Sequence, residues 1–165
     1  MNLKKSCFVF FWLLPFAAIG QIKNPNFKAL VDSLCTLVTP KVTIDSFKHI
    51  KNVYVLDTRE IEEYEVSHLK NARNVGYIWF DMRNIYDIPK NATVVIYCSV
   101  GLRSQKICHK LISAGYQHVY NLYGSIFEWF NQGNPVYKSN GIQTSEIHTY
   151  TKDWAKWVIK GTKVY

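Results

Sequence analysis

Clustered basic residues are scarce in this sequence, although the chain is basic overall. Its 165 residues include 20 Lys and Arg against 12 Asp and Glu, which gives a net charge of +8. After residue 20, no group of adjacent Lys and Arg is longer than a pair, and nothing resembles a nucleic-acid-binding motif. We therefore expect no nucleic acid as a partner, and a basic surface that attracts small anions.

Metal-ligand spacing and internal repeats are also missing. No pair of Cys or His residues has the spacing of a metal site, so we expect no metal and no cofactor. The four cysteines are Cys7, Cys35, Cys98 and Cys108. Three of them follow residue 20, and an odd number in an oxidising compartment indicates a free reactive thiol or an intermolecular disulfide. Helical spacing predicts that Cys108 packs in the core.

A segment of about 20 apolar residues, the length that spans a bilayer, is missing as well. The apolar run from Cys7 to Ile19 is shorter, follows Lys4 and Lys5, and is followed by Gly20. This pattern predicts a signal peptide over residues 1–20 and export to the periplasm or the outside. The alternative is an uncleaved segment that anchors the protein to a membrane. Cleavage would remove two lysines and lower the net charge from +8 to +6.

The strongest positive signal is a cysteine at the end of an apolar run. Residues 94–97 are apolar and rich in β-branched side chains, Cys98 follows them, and a helix-favouring stretch starts at Gln105. This order predicts a buried strand that delivers a thiol into a loop before a helix. Loop N–H groups, the helix dipole and the charge of Arg103 would all favour a thiolate there. A lone cysteine is more often an inert buried residue, but the spacing of Gly101 and Arg103 favours a reactive one.

Strand-like and helix-like segments alternate along the chain. The predicted strands are 41–44, 53–56, 72–75, 93–97 and 119–122, and the predicted helices are 26–38, 45–49, 60–65, 78–87, 104–114 and 125–131. Alternation of this kind predicts an α/β protein with a three-layer α/β/α fold and a mostly parallel central sheet of about five strands. Ligands of such sheets bind at the carboxyl ends of the strands, where Asp57 and Cys98 would both lie.

The loop after the central strand also resembles a known active site. Residues 98–104 read Cys-Ser-Val-Gly-Leu-Arg-Ser and resemble the C-x-x-G-x-R-S loop of the rhodanese-like sulfurtransferases. Residues 55–64 resemble that family's aspartate-x-arginine segment, 67–75 its G-H-I-x-G-A-x-N-I segment, 119–125 its strand before a double glycine, and 129–136 its closing pattern. Motifs in the right order are more specific than any one of them.

The resemblance covers residues 41–137 and suggests a division of the chain. We expect a signal peptide over 1–20, an N-terminal helical segment over 21–40, and the rhodanese-like domain over 41–137. Residues 138–165 are interpreted as a linker and a Trp-rich C-terminal cap, in which Trp154, Trp157 and Val158 share one face of a helix. That face is expected to pack on the domain, and contact with a partner or a membrane surface is the alternative.

The resemblance implies a two-step transfer of sulfur. The Cys98 thiolate would take the sulfane sulfur of a small anionic donor such as thiosulfate, or of a persulfide, and pass it to cyanide, glutathione or a protein thiol. Arg103 would be the second catalytic residue, which stabilises the loop and the anion. The substrate-binding residues would be Ser99, Val100, Gly101, Leu102 and Ser104, whose N–H groups would hold the terminal sulfur. Asp57 and Arg59 would support the site without reacting, and His68 would be a partly buried structural residue.

Four positions depart from the family pattern. Ser99 stands where many members carry a basic residue, which weakens the expected affinity for an anionic donor. Ser67, Asn71 and Ser125 stand at positions of glycine. These three substitutions are expected to affect backbone conformation, because only glycine enters positive φ freely, and asparagine tolerates it best among the others.

Two other function classes stay open. A small cysteine-dependent phosphatase would also combine Cys and Arg around an anion, but its loop has one more residue than the four between Cys98 and Arg103. The shorter loop favours sulfur over a phosphate group. A non-catalytic persulfide carrier or binding module is the second alternative, and an intact Cys98 does not separate a carrier from an enzyme.

Overall fold

The computed structural model describes residues 22–165. The predicted signal peptide at residues 1–20 lies outside these residues, so export stays a prediction. Within residues 22–165, no helix has the length and apolar character needed to cross a membrane.

A five-stranded parallel sheet forms the centre of the protein. Its strands are β1 (Lys41–Val42), β2 (Val53–Asp57), β3 (Arg73–Asn74), β4 (Thr93–Tyr97) and β5 (His118–Leu122). The order across the sheet is β1-β5-β4-β2-β3, and every neighbouring pair is parallel. The predicted α/β class and the parallel sheet are therefore confirmed.

In the described part of the chain, five α-helices cover the two faces of the sheet. They are α1 (Pro25–Leu34), α2 (Ile44–Lys48), α3 (Ile61–Val66), α4 (Leu102–Ser113) and α5 (Ser125–Asn131). Alternation along β4 divides the core, since Val95 and Tyr97 pack with α1, α2 and α5, whereas Val94 and Ile96 pack with α4. Both faces of β4 are buried, which explains its nearly continuous apolar sequence.

Two predicted boundaries near the N-terminus of the domain are wrong. Residue Ile44 begins α2 rather than ending β1, because the Thr43 side chain accepts a hydrogen bond from Ser46 N at 3.2 Å and caps the helix. Asp45, where the predicted helix begins, lies in the first turn of α2. The first helix also ends early, at Leu34 instead of residue 38.

The predicted helix over residues 78–87 is replaced by a short 3-10 turn, Met82–Ile85. Asp81 caps this turn by accepting a hydrogen bond from Arg83 N at 2.8 Å. Within residues 78–88, Ile85 and Ile88 are the residues buried in the core, with exposed fractions of 0% and 2%. A spacing of three is met by a 3-10 turn as well as by an α-helix.

The C-terminal segment returns to the sheet domain by way of short strands. Strands β6 (Val136–Tyr137) and β7 (Gln143–Thr144) form an antiparallel hairpin, and β8 (Glu146–His148) pairs in parallel with β9 (Thr162–Val164). The residues predicted as a Trp-rich helix form only a 3-10 turn, Ala155–Trp157. The Trp157 ring packs 5.6 Å from that of Phe27, and Trp157 O accepts a hydrogen bond from Asn131 Nδ2 at 2.7 Å.

Candidate active site

Cys98 follows the last residue of β4 and begins the loop that leads into α4. Its side chain lies at the floor of a pocket although it is only 1% exposed. Gly101 ends the loop at φ +114°, and a Cβ there would lie 3.0 Å from Cys35 Sγ. Only glycine meets both the backbone and the space requirement. Helix α4 begins directly after it, at Leu102, two residues before the predicted start.

The backbone of the loop surrounds the Cys98 sulfur with N–H groups. Gly101 N donates to Cys98 Sγ at 3.1 Å. Among residues 22–165, the N–H groups of Ser99, Val100, Leu102 and Arg103 have no hydrogen-bond acceptor. The carbonyl oxygens of Cys98 and Ser99 instead accept hydrogen bonds from the start of α5, each at 3.2 Å. The loop carbonyl groups are thus used by α5, while several loop N–H groups next to Cys98 in the chain stay free as donors, an arrangement suited to binding an anion.

Arg103 is held by a carboxylate from a distant helix. Its Nη1 and Nη2 donate to the two oxygens of Glu63 at 2.5 and 2.7 Å, and Nη2 also donates to Ser99 Oγ at 3.0 Å. The Glu63 side chain is 3% exposed. Burial raises the pKa of Glu63, but the hydrogen bonds and charge of Arg103 outweigh it and hold this pKa below its usual value. Arg103 thus braces the loop through a buried fork of hydrogen bonds.

Asp57 and Arg59 form a second buried pair behind the loop. Arg59 Nη2 donates to Asp57 Oδ2 and to Ser67 O, both at 2.6 Å, while Arg59 N donates to Asp57 Oδ1 at 2.9 Å. Both side chains are 0% exposed and neither lines the pocket. Because Arg59 precedes α3 and Ser67 follows it, the pair fixes both ends of the helix that carries Glu63.

Three polar side chains complete the rear of the loop. Ser104 Oγ donates to Asn121 Oδ1 at 2.7 Å, and Asn121 Nδ2 donates to Gly101 O at 3.1 Å. Ser104 Oγ also lies 3.6 Å from Cys98 Sγ, but a hydroxyl has one proton and the shorter bond uses it. Cys98 N donates to Ser125 Oγ at 3.2 Å. These bonds fix the start and the end of the loop.

The three described cysteines have different acidities. Burial raises the pKa of Cys98, but the charge of Arg103 and hydrogen bonds from the backbone N–H groups of Ser104 and Gly101 outweigh burial, so this pKa lies below its ordinary value. Burial raises the pKa of Cys35 to about 11. The pKa of Cys108, which is fully buried in the core, is raised further by the same cause. The thiolate form is therefore favoured at Cys98 alone among these three.

A pocket of about 350 Å³ opens above Cys98. Of the predicted site residues, Ser99, Val100, Leu102 and Arg103 line it with Cys98, whereas Gly101 and Ser104 lie behind the sulfur. The remaining lining residues come from four other parts of the chain: Glu60, Tyr77, Ile78, Lys106, Tyr150 and Trp154. Within residues 22–165, no group of three or more His, Cys, Asp and Glu side chains could hold a metal ion.

Comparison with known proteins identifies the architecture around this loop. A family model of the rhodanese-like domain matches residues 41–132, which is more than half of the chain. The protein belongs to this family.

Relatives and solved structures agree with that assignment. A sulfurtransferase of Allochromatium vinosum is 44% identical over 91 residues, which are 55% of this chain and 84% of that protein. The adenylyltransferase and sulfurtransferase uba4 of Ogataea parapolymorpha is 26% identical over 58% of this chain, which spans only 24% of that protein. A rhodanese-like domain protein of Staphylococcus aureus has a TM-score of 0.50 at 27% identity, with 57% of this chain and 94% of that chain covered.

A further structure shows the same fold at low identity. The thiosulfate sulfurtransferase of Pseudomonas aeruginosa has a TM-score of 0.57 at 20% identity, and the match covers 80% of this chain and 25% of that one. At this identity the likeness shows the fold alone. The coarser prediction, a protein of the sulfurtransferase type, is supported by the family match and by the Allochromatium vinosum relative.

The positions that depart from the rhodanese-like pattern have different backbone conformations. Asn71 and Ser125 have φ of +60° and +52°, so both occupy the left-handed region that favours glycine. Ser67 has φ −171°, which any residue adopts, so the backbone effect expected at this position is absent. His68 is 7% exposed, stacks on the ring of Tyr64 and places Nδ1 3.1 Å from Tyr64 O, an environment typical of a structural histidine.

Sequence reasoning missed the ion-pair partner of Arg103, which is Glu63, and the loop support Asn121. It also missed six residues that line the pocket: Glu60, Tyr77, Ile78, Lys106, Tyr150 and Trp154. The sequence indicates Glu63 only as the second residue of a capping box with Glu60, in which its carboxylate accepts a hydrogen bond from Glu60 N at 3.1 Å. That role gives no sign of its pairing with Arg103. The partner of Asn121 is 17 residues away and that of Glu63 is 40 residues away. No local pattern reports pairings at such separations.

Proposed function

We propose that this protein is a sulfurtransferase that carries sulfane sulfur as a persulfide on Cys98. In the first step, the Cys98 thiolate attacks the outer sulfur of a donor. The bond between the two donor sulfurs breaks, and the leaving group, sulfite from thiosulfate or a thiolate from a persulfide, departs with the electron pair. In the second step, a nucleophile such as cyanide, glutathione or a protein thiol attacks the terminal sulfur, and the Cys98 thiolate is released.

The free N–H groups of the loop carry this proposal. A persulfide places one additional anionic sulfur beyond Cys98 Sγ, where the unpaired N–H groups of Val100, Leu102 and Arg103 are available as donors. Only four residues separate Cys98 from Arg103, which suits a single sulfur atom better than a tetrahedral phosphate group. These donors are fixed before the sulfur arrives, so no reorganisation is needed to stabilise the charge.

The test is the mass of the protein after incubation with thiosulfate, followed by addition of cyanide. We expect the gain of one sulfur atom on the peptide that contains Cys98, its loss on cyanide addition, and continuous thiocyanate formation when both reagents are present. Cys98→Ala abolishes both signals, whereas Cys35→Ala and Cys108→Ala are the matched controls and retain most of the turnover. Substantial thiocyanate formation by Cys98→Ala would overturn the proposal, and a single turnover without continuation would favour a carrier.

A further inference from the structure

We propose that the sulfur donor of this protein is a carbon-bound one, in which an apolar organic group carries the transferable sulfur and occupies the pocket beside Cys98. This inference deepens the proposed function and rests on it. The relevant compounds are organic persulfides and thiosulfonates, R–S–SH and R–SO₂–S⁻, in which R is an aromatic or a bulky alkyl group.

The walls of the pocket are mainly apolar. The apolar lining residues come from three parts of the chain: Tyr77 and Ile78 follow β3, Val100 and Leu102 lie in the Cys98 loop and at the start of α4, and Tyr150 and Trp154 belong to the C-terminal segment. The volume of about 350 Å³ is within the range of small-molecule sites. Thiosulfate has few atoms and would leave most of this apolar surface exposed to water. An aromatic or alkyl group would fill the space and bury that surface.

The charges around the pocket also disfavour an inorganic dianion. Arg103 and Lys106 are the cationic residues of the lining. Arg103 is neutralised by Glu63 at 2.5 Å, and Glu60 lines the same pocket as Lys106. The Cys98 thiolate adds one negative charge, so the group as a whole has no positive surplus for the two charges of thiosulfate. A thiosulfonate has a single charge and a neutral persulfide has none.

The side of the pocket formed by Tyr150 and Trp154 follows the region matched by the family model, which ends at residue 132. The Tyr150 ring lies 5.7 Å from the Arg103 guanidinium carbon, and Tyr150 N donates to His148 Nδ1 at 3.1 Å. Trp154 packs against the core. Tyr150 has φ +66°, a conformation that costs energy for a residue other than glycine. A strained aromatic residue at the mouth of a reactive site is best explained by a role there.

The reaction balances without any other reactant. The Cys98 thiolate attacks the outer sulfur of R–SO₂–S⁻, a new S–S bond forms, the old one breaks, and the sulfinate R–SO₂⁻ leaves with the electron pair. One negative charge remains on the Cys98 persulfide and one on the sulfinate. With R–S–SH, the thiolate R–S⁻ leaves and the proton stays on the persulfide.

The experiment compares benzenethiosulfonate, methanethiosulfonate and thiosulfate as donors for the full chain, with the rate of sulfur addition to Cys98 followed by mass spectrometry. The two thiosulfonates differ in reactivity by themselves, so the relevant quantity is the change in their rate ratio between variants. Trp154→Ala and Tyr150→Asn should lower the ratio of benzenethiosulfonate to methanethiosulfonate by roughly fivefold or more, the size expected for loss of an aromatic contact. The thiosulfate rate should change by less than about twofold, since no aromatic contact is lost with this donor.

Two exposed aromatic residues outside this pocket provide matched controls. Trp79 is 87% exposed and Tyr86 is 85% exposed, and Trp79→Ala and Tyr86→Asn should leave the ratio unchanged. Because Tyr150 is 57% exposed and asparagine tolerates its backbone conformation, Tyr150→Asn should fold even if Trp154→Ala does not. Sulfur addition to Cys98 with an unchanged ratio in Tyr150→Asn would overturn this inference alone. No sulfur addition from any of the three donors would overturn the proposed function.

Discussion

At the scale of single residues, Arg103 has two separate effects on the site, one through its charge and one through its hydrogen bonds. Arg103 donates no hydrogen bond to Cys98 Sγ in the described structure, and its Nη1 and Nη2 donate to Glu63 and Ser99 instead. Its charge still lowers the pKa of the Cys98 thiol. Arg103 therefore affects the thiolate through space and the shape of the loop through hydrogen bonds, and different substitutions remove the two effects.

We expect Arg103→Lys to lower the rate of sulfur transfer by about tenfold, the equivalent of one lost charge-assisted hydrogen bond. A lysine keeps the charge but cannot bridge both oxygens of Glu63 and the Ser99 hydroxyl. Arg103→Ala should be less active still and lose about 3 kcal/mol of unfolding free energy, because the buried Glu63 then loses its ion-pair partner. Steady-state kinetics and urea unfolding measure both quantities. Near-normal turnover in Arg103→Lys would show that charge is the main contribution.

The pH dependence of Cys98 alkylation tests the charge effect. A thiolate with a lowered pKa is already formed at neutral pH, so alkylation by iodoacetamide should reach its plateau at a lower pH than that of an ordinary cysteine. As pH falls through the Cys98 pKa, the rate should decline. In Arg103→Ala the whole profile should move to higher pH, because burial then acts with less opposition. Lys110→Ala removes one positive charge from the exposed side of the same helix, and an equal shift in that control would contradict the assignment to Arg103.

At the scale of elements, the C-terminal strands position the aromatic side of the pocket. Tyr150 follows β8 by two residues, and β8 is held by its pairing with β9. Gly161, just before β9, has φ +77°, and a Cβ there would lie 2.5 Å from both Ser145 O and Phe130 Cζ. Contacts at this distance require the backbone to move, so the pairing of β8 with β9 depends on this glycine.

Gly161→Ala should therefore lower the free energy of unfolding by about 3 kcal/mol, from backbone strain together with overpacking. It should also reduce the preference for benzenethiosulfonate, because Tyr150 loses its fixed position. Gly141→Ala is the matched control, since Gly141 has φ +79° but no neighbour within 4 Å, and about 1 kcal/mol of strain alone is expected there. Thermal unfolding and the donor ratio provide the two measurements. Equal losses in the two variants would mean that the close approach at Gly161 has no importance.

At the scale of the whole molecule, the sequence was sufficient to predict the central sheet and the Cys98 loop, but not the residues that surround them. Strand β4 and helix α5 have the predicted bounds, 93–97 and 125–131, because burial on both faces and a clear stop at Gly133 are local signals. The pairing of Glu63 with Arg103 and the approach of Tyr150 to the pocket depend on how distant segments meet. Hydrophobic patterns with a period of 2 or 3.6 residues predict strands and helices but not contacts between distant segments. The Glu63–Arg103 pair and the position of Tyr150 could therefore not be predicted.

The aromatic side of the pocket has a consequence for the order in which the protein is made. Every residue of the loop and its supports, from Asp57 to Ser125, precedes Tyr150 and Trp154 in the chain. The Cys98 loop therefore emerges first, from a ribosome or from an export channel, and the N-terminal part of a chain can begin to fold before the rest has emerged. A partly emerged chain would thus have a reactive Cys98 thiolate before Tyr150 and Trp154 are in place to restrict which sulfur donors bind. On the proposed donor, selectivity would then be the last property to form, because Tyr150 takes its position only when β9 pairs with β8.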